Sequence, residues 1–491
     1  MSTLLVKENC TVFREDLGAA VACFPRLMHM HLSDGSAQPI DDAFLARLAA
    51  CCPKLTAFHL GNGTPVDGLL ALRVRALALA DLSAVTTPEV KNLIALEAIA
   101  IDTAVWDYDD LEPLAHLPRL TSLSVLHEVS LFPGTFRSRR FSFVRLSSLK
   151  LLDLGSSPSP PFDEMFPSET PCSLLERVSL YQCDELQNLP HNIIERLPCL
   201  HDLSISACDT LLEQPKAVTL LTGLRSLKLA RCPFVGLQDY LGEMNALTTL
   251  MLHKLNIYFP ASCSQLKALH TLAVIDCEYL DDLPDPLSAL TVLSTLCLAG
   301  SPFLVLPNDI RGLTNLQTVF VKTYRAREIL PSSFTQLASL AHLELHECEL
   351  VDLPEAVGEL RRLRELYVLS CPRIQKLPDS VAALLNLEVL VVDQCGSLFS
   401  VPKNLIDLTR LKQLDWNIPM AHKKDTASMH CKASSFAIAV AIWQAQELPR
   451  QPLKLIGEGE AEGGGAGERG GTGRGGGRGR EGGRRGLAVW H

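Results

Sequence analysis

The sequence predicts an α/β solenoid: one short coil wound about seventeen times, with a parallel β-sheet on its concave side and short helices on its convex side. Three observations lead there. A pattern of aliphatic residues returns about every 24 positions, cysteine recurs at one place in it, and a Leu-Pro pair recurs at another. A length of 491 residues would also allow about three ordinary domains. A hydrophobic share of 47% with only 6% aromatic residues, however, fits one core built by repeating an aliphatic side chain.

The pattern is clearest from Leu175 onward. Leu175-Glu-Arg-Val178-Ser-Leu180-Tyr-Gln-Cys183 is followed by Leu186, Leu189 and Pro190, and Leu363-Arg-Glu-Leu366-Tyr-Val368-Leu-Ser-Cys371 by Ile374, Leu377 and Pro378. The openings Leu175, Leu200, Leu224, Leu247, Leu269, Leu293, Leu316, Leu340, Leu363 and Leu387 lie 22 to 25 residues apart. That is the spacing of a leucine-rich repeat (LRR), whose array closes into a horseshoe. Earlier openings at Leu27, Leu55, Val74, Leu96, Leu120 and Leu149 are spaced 19 to 29 residues apart, and a last turn opens at Leu411.

Each repeated residue has a physical task. In LxxLxL the last two aliphatics alternate, so both point from one face of a strand into the coil, and the residues between them point outward. After the strand the chain must turn, and a small side chain there meets otherwise unpaired backbone carbonyls. Seven of the ten regular turns place cysteine at that position: Cys183, Cys208, Cys232, Cys277, Cys348, Cys371 and Cys395; Leu255, Ser301 and Tyr324 are the exceptions. Nine turns carry a proline 13 to 15 residues after the opening, from Pro190 to Pro402. Proline suits the first residue of a short helix, where no N–H is needed. Helices are wider than strands set about 4.8 Å apart, so stacking them bends the array. One turn alone buries too little to offset its ordering entropy, so the array must be a single cooperative body.

The expected organisation is an N-terminal cap (1–24), irregular turns (25–174) with inserted loops at 129–147 and 155–172, a regular array (175–420), a capping segment (421–454) and a disordered Gly/Arg-rich tail (455–491). A helix within 427–448 is expected to cover the last turn.

The LxxLxLxxCxxLxxLP turn resembles the repeats of plant intracellular nucleotide-binding LRR immune receptors, well over 175–416 and weakly over 20–174. Early turns such as Leu48-AACCPKL55-TAFHL60 look more like the cysteine-containing repeats of F-box substrate receptors. The receptor resemblance implies recognition of a partner protein in defence signalling. No GxxxxGK[ST] phosphate loop occurs in the chain, so the nucleotide switch of such receptors is expected to be absent. The chain then reads as a free-standing LRR protein or as a relic of a larger gene.

Other chemistry is weak. Zinc sites need close spacings such as CxxC, which do not occur, and the ladder position accounts for most thiols without disulfides. His29 and His31 share the outward face of one strand, but no third ligand is evident. In His346-Glu347-Cys348 the thiol belongs to the ladder and should point inward. There is no GxSxG nucleophile and no carboxylate pair with a common pocket, and an open solenoid has few water-excluding clefts. Neither an enzyme nor a cofactor is expected. The net charge of −10 gives no basis for nucleic-acid binding by the body. Residues 457–486 hold 16 of the 30 glycines with six arginines and five glutamates. Their charges nearly cancel, so a solvated tail is expected over RNA binding. The longest apolar run, Phe436–Trp443, is too short to span a bilayer, and the charged N-terminus does not read as a signal peptide. No membrane contact and a cytoplasmic location are the expectation.

Binding is expected on the concave face, from the third, fifth, seventh and eighth residues of each turn. These include Tyr181, Gln182, Arg231, His253, Lys254, Asp276, Phe320, Lys322, Glu344, His346, Glu347, Tyr367, Asp393 and Gln394. Phe320 and Tyr367 fall in the fifth column two turns apart, about 10 Å from each other. Aromatic residues flanked by charges are the usual composition of a protein-binding hot spot. The main rival functions are a ubiquitin-ligase substrate receptor or adaptor, which needs a docking element at residues 1–25, and an RNA-associated scaffold acting through the tail.

Overall fold

In a computed structural model, the described residues are 3–6, 25–32, 42–60, 73–79, 88–102, 108–126, 142–155, 162–183, 186–211, 216–233, 239–277, 285–300, 306, 310–323, 330–398, 402, 404–419 and 426–432. The chain divides into two compact units, 1–453 and 454–491. The second unit, with the tail, lies outside the described residues.

The first unit is built on strands β1 (Thr3–Val6), β2 (His29–Leu32), β3 (Ala57–Leu60), β4 (Ala76–Leu79), β5 (Ala98–Asp102), β6 (Ser122–Leu126), β7 (Leu151–Gly155), β8 (Arg177–Tyr181) and β9 (Asp202–Ser206). It continues through β10 (Ser226–Ala230), β11 (Thr249–His253), β12 (Thr271–Ile275), β13 (Thr295–Ala299), β14 (Thr318–Lys322), β15 (His342–His346), β16 (Glu365–Leu369), β17 (Val389–Asp393), β18 (Gln413–Pro419) and β19 (Thr426–Lys432). Each of β1 to β17 pairs in parallel with the next, in the order of the sequence. The chain is therefore an LRR solenoid with one continuous sheet. All seventeen openings, from Leu27 to Leu411, are buried. The register matches like position to like position, as in Leu343↔Leu366 and Leu345↔Val368, so each aliphatic column stacks on itself.

The ladder cysteines act as the turn chemistry requires. The thiols of Cys208, Cys232, Cys277, Cys348, Cys371 and Cys395 each lie 3.5–4.0 Å from a carbonyl oxygen of the preceding turn and donate to it. The accepting residues are Leu180, Ile205, Leu252, Val321, Leu345 and Val368. Next to them a second device appears. The eighth residue of a turn takes a left-handed conformation, with φ of 50–55° at Gln182, Ala207, Arg231, Lys254, Asp276, Glu347, Ser370 and Gln394. This turns its N–H toward the following strand, as in Ala207 donating to the Ala230 carbonyl and Ser370 to that of Asp393. The eighth position is thus a turn at the end of the strand and not part of it. Thr323, at the same place, lacks the positive φ, in keeping with the cost of that region for a β-branched residue.

The convex elements are mostly 3₁₀ helices of five residues, such as Ala261–Gln265, Ser332–Gln336, Glu355–Glu359 and Asp379–Ala383. The proline stands one residue before each of them, at Pro260, Pro331, Pro354 and Pro378. It is not the first helical residue as expected. A 3₁₀ turn closes onto the carbonyl three residues back, and it is the proline carbonyl that accepts, from Cys263, Phe334, Val357 and Val381. The same period of three buries Val357 with Leu360 and Val381 with Leu384.

Three features depart from or add to the expected organisation. Strand β1 lies inside the expected cap and continues the sheet, with Leu4 opposite Met30. The loop expected over 155–172 contains a helix, Phe162–Met165. There Phe166 packs its ring 4.9 Å from Phe162 and 5.8 Å from Phe143, which comes from the other expected loop. The buried Arg196 guanidinium donates to the Phe166 carbonyl and meets Asp163. These aromatics bury too much apolar area to be left in a surface loop. Finally, the start of the 427–448 segment is a strand, and the residues expected to be helical within it, 435–448, lie outside the described ones. Residues 426–432 form β19, antiparallel to β18, because the open edge of the last strand offers unpaired backbone groups.

Candidate partner-binding face

Outward strand positions form columns across the sheet. In the fifth column Phe320 of β14 pairs with Glu344 of β15, which pairs with Tyr367 of β16, and all three are half-buried. Beside them in the third column, His342 sits between two carboxylates. Its Nδ1 is 2.9 Å from Glu365 and its Nε2 3.6 Å from Glu344, and its ring centroid is 5.3 Å from that of Tyr367. The Tyr367 hydroxyl donates to Glu365 over 3.3 Å. Glu344 first, and Glu365 with it, hold the His342 imidazole above its usual range against the opposing effect of burial. Burial and the Glu365, Glu344 and Asp415 charges raise the Tyr367 phenol. Burial, aided by Glu344, pushes the Cys297 thiol up to about 11.

Lys322 and His346 flank this group in the seventh column, with Glu347 3.0 Å from Lys322 and 3.4 Å from the His346 Nδ1. Asp393 follows at the end of β17, opposite Leu369. The structure thus brings Phe320, Lys322, Glu344, His346 and Tyr367 into one patch, with Asp393 one strand beyond. His342 and Glu365 complete it. They belong to the third column, already read as outward, but nothing in the sequence singled them out.

The other expected residues lie apart from this patch. His253 ends β11 with its Nε2 3.5 Å from Asp276, while Arg231 and Lys254 are exposed in the turns beside it. Burial first, then Lys254 and Arg231, depress the His253 imidazole against the pull of Asp276. Tyr181 ends β8, half-buried, four strands before β12. Gln182 and Gln394 occupy left-handed turns.

Charge divides along the face. On β7 to β11 and their following turns stand Arg177, Lys228, Arg231 and Lys254 against Asp153 and Asp202. On β14 to β18 stand Glu344, Glu347, Glu365, Asp393 and Asp415 against Lys322. At the other end, the small outward residues Ala57, Ala76, Ala78, Ala98, Ala100 and Ser122 of β3 to β6 line a hollow of ≈ 330 Å³. That hollow was not anticipated, because an absence of large side chains leaves no motif. His29 lies at its margin, exposed. The register sets His31 opposite His59, but the side chains of those two lie outside the described ones. Among the described residues no group of three or more His, Cys, Asp or Glu is placed to hold a metal ion, and no helix is long and apolar enough to cross a membrane.

No family model matches the chain. TMV resistance protein N of Nicotiana glutinosa is 26% identical over 286 residues, covering 52% of this chain and 24% of that protein. Disease resistance-like protein DSC1 of Arabidopsis thaliana is 25% identical over 210 residues, covering 40% and 16% respectively. The chain spans about a quarter or less of the length of these relatives. In fold it is similar to TLR13 in the structure of the TLR13–ssRNA13 complex, with a TM-score of 0.51, 19% identity, and coverage of 83% of this chain and 60% of that one. Stacked aliphatic columns, a thiol ladder and these sequence relatives agree: the chain is a leucine-rich-repeat protein whose repeats are similar to those of plant disease-resistance proteins.

Proposed function

We propose that this protein recognises a partner protein on the concave face, centred on β14 to β17, as part of a defence response or its intracellular signalling. It acts by binding and not by catalysis, without a cofactor, in the cytoplasm. The observation that carries this reading is the half-buried pair Phe320 and Tyr367, set in one column on either side of Glu344. Aromatic anchors beside charged groups supply most of the energy of protein interfaces. Similarity to plant resistance proteins supports the defence role. The thirteen cysteines whose side chains are described are all free, as suits a reducing compartment such as the cytoplasm. Tyr181, Arg231, His253 and Lys254 extend the same face and would contact a larger partner.

The test is the double variant Phe320→Ala, Tyr367→Ala in the full chain. Truncating two anchors should cost about 2 kcal/mol or more of binding, read as loss of the partner captured from plant extract by the unaltered protein. The thermal unfolding curve should stay in place. Partner capture that survives the double substitution would refute the proposed face.

A further inference from the structure

We propose that Phe320, Glu344 and Tyr367 form a cage for one cationic side chain of the partner, an arginine guanidinium. This rests on the concave-face reading above and specifies its chemistry. Two aromatic residues on strands about 10 Å apart, with a carboxylate on the strand between them, offer what a planar cation needs: rings to stack on and an anion to accept its N–H groups.

A second observation is that the site already seats a basic side chain between carboxylates. His342 lies against Tyr367, between Glu344 and Glu365, at the distances given above, and the two carboxylates raise its pKa against the opposing effect of burial. The protein's own imidazole, held between an aromatic ring and two carboxylates, is a partial stand-in for the incoming group. The charge of the surroundings agrees. Glu365, Asp393 and Asp415 add negative charge on β16 to β18, and the Glu344 field reaches Cys297 two strands away. Lys322, the lysine of this patch, is spanned by Glu347 at 3.0 Å. Such a field repels the phosphates of a nucleic acid and attracts a basic loop. Lysine would gain the charge attraction but not the forked, stacked geometry.

Arginine binding should compete with the proton on His342. The groups facing that imidazole are Glu344 on its own strand, Glu365 and Tyr367 on β16, and Thr318 opposite it on β14. Charged His342 occupies both carboxylates; neutral His342 releases them to the guest.

Calorimetric titration of the full chain with an octapeptide of glycine and serine carrying one central arginine tests the cage. The controls are the same peptide with glutamine or glutamate at the centre. Expected are binding of the arginine peptide alone, about tenfold weakening by Glu344→Gln, loss in Phe320→Ala, Tyr367→Ala, and retention in Tyr367→Phe, which keeps the ring. Affinity should rise between pH 5.5 and pH 8. Equal heats from the arginine and glutamine peptides, or an unchanged affinity in Glu344→Gln, would overturn the cage. The recognition reading fails separately. A partner lost by the aromatic double variant but retained by Glu344→Gln leaves the face standing and removes the cage. A partner retained by the double variant, with the peptide lost, does the reverse.

Discussion

At the scale of single residues, the solenoid is held by side chains chosen for backbone service. The ladder thiols are small enough to sit in the turn and, in six of the seven, to donate to a strand carbonyl of the preceding turn. That role was readable from the recurrence of cysteine. The left-handed residue beside it was not, because Gln, Ala, Arg, Lys, Asp, Glu and Ser all fill the position and share no pattern. His342 supplies a prediction at this scale. Its folded-state pKa is raised, so its contribution to stability is fully present below its unfolded value of about 6.5 and is lost as pH rises through the folded one. Urea midpoints of the unaltered protein should therefore fall as pH is taken from about 6 to 8. In His342→Gln that part of the slope should vanish. A slope identical in both proteins would show that the ion pairs with Glu344 and Glu365 do not favour the charged imidazole.

At the scale of elements, alternation decides which residues a strand buries. Leu343 and Leu345 of β15 are wholly buried, whereas His342, Glu344 and His346 between and beside them are half-exposed. Leu343→Arg would place an unpaired charge in the stacked column and should cost about 3–5 kcal/mol. The expected result is a lowered urea midpoint together with faster amide exchange in β14 and β16, whose Val319 and Leu366 flank the site. Exchange confined to β15 would mean that neighbouring turns do not support one another. The helices were harder to read than the strands. A period of three in a segment of five residues separates α from 3₁₀ geometry poorly, and only the bond to the proline carbonyl settles which is formed.

At the scale of the whole repeat array, one sheet runs from β1 to β19, and its last partner is antiparallel. Ending the chain after Pro419 would leave the outer edge of β18 without β19. Such an edge pairs with other chains, so the shortened protein should scatter light increasingly with concentration at 25 °C while the full chain does not. A monodisperse truncated protein would show that β19 is not what protects this edge.

Period, aliphatic columns, thiol ladder and the Phe320–Tyr367 column were determined by the sequence alone. Each repeats or aligns at a constant offset, and stacking of identical turns converts a sequence offset directly into a spatial one. Tertiary structure alone decided the rest: the Phe143, Phe162 and Phe166 cluster, β19 at the sheet's end, the Ala/Ser hollow and the seating of His342 between two carboxylates. Those features depend on which side chains meet across turns or at the ends of the array, where the repeat is broken or carries no information, and only packing and pairing of the folded chain can settle such meetings.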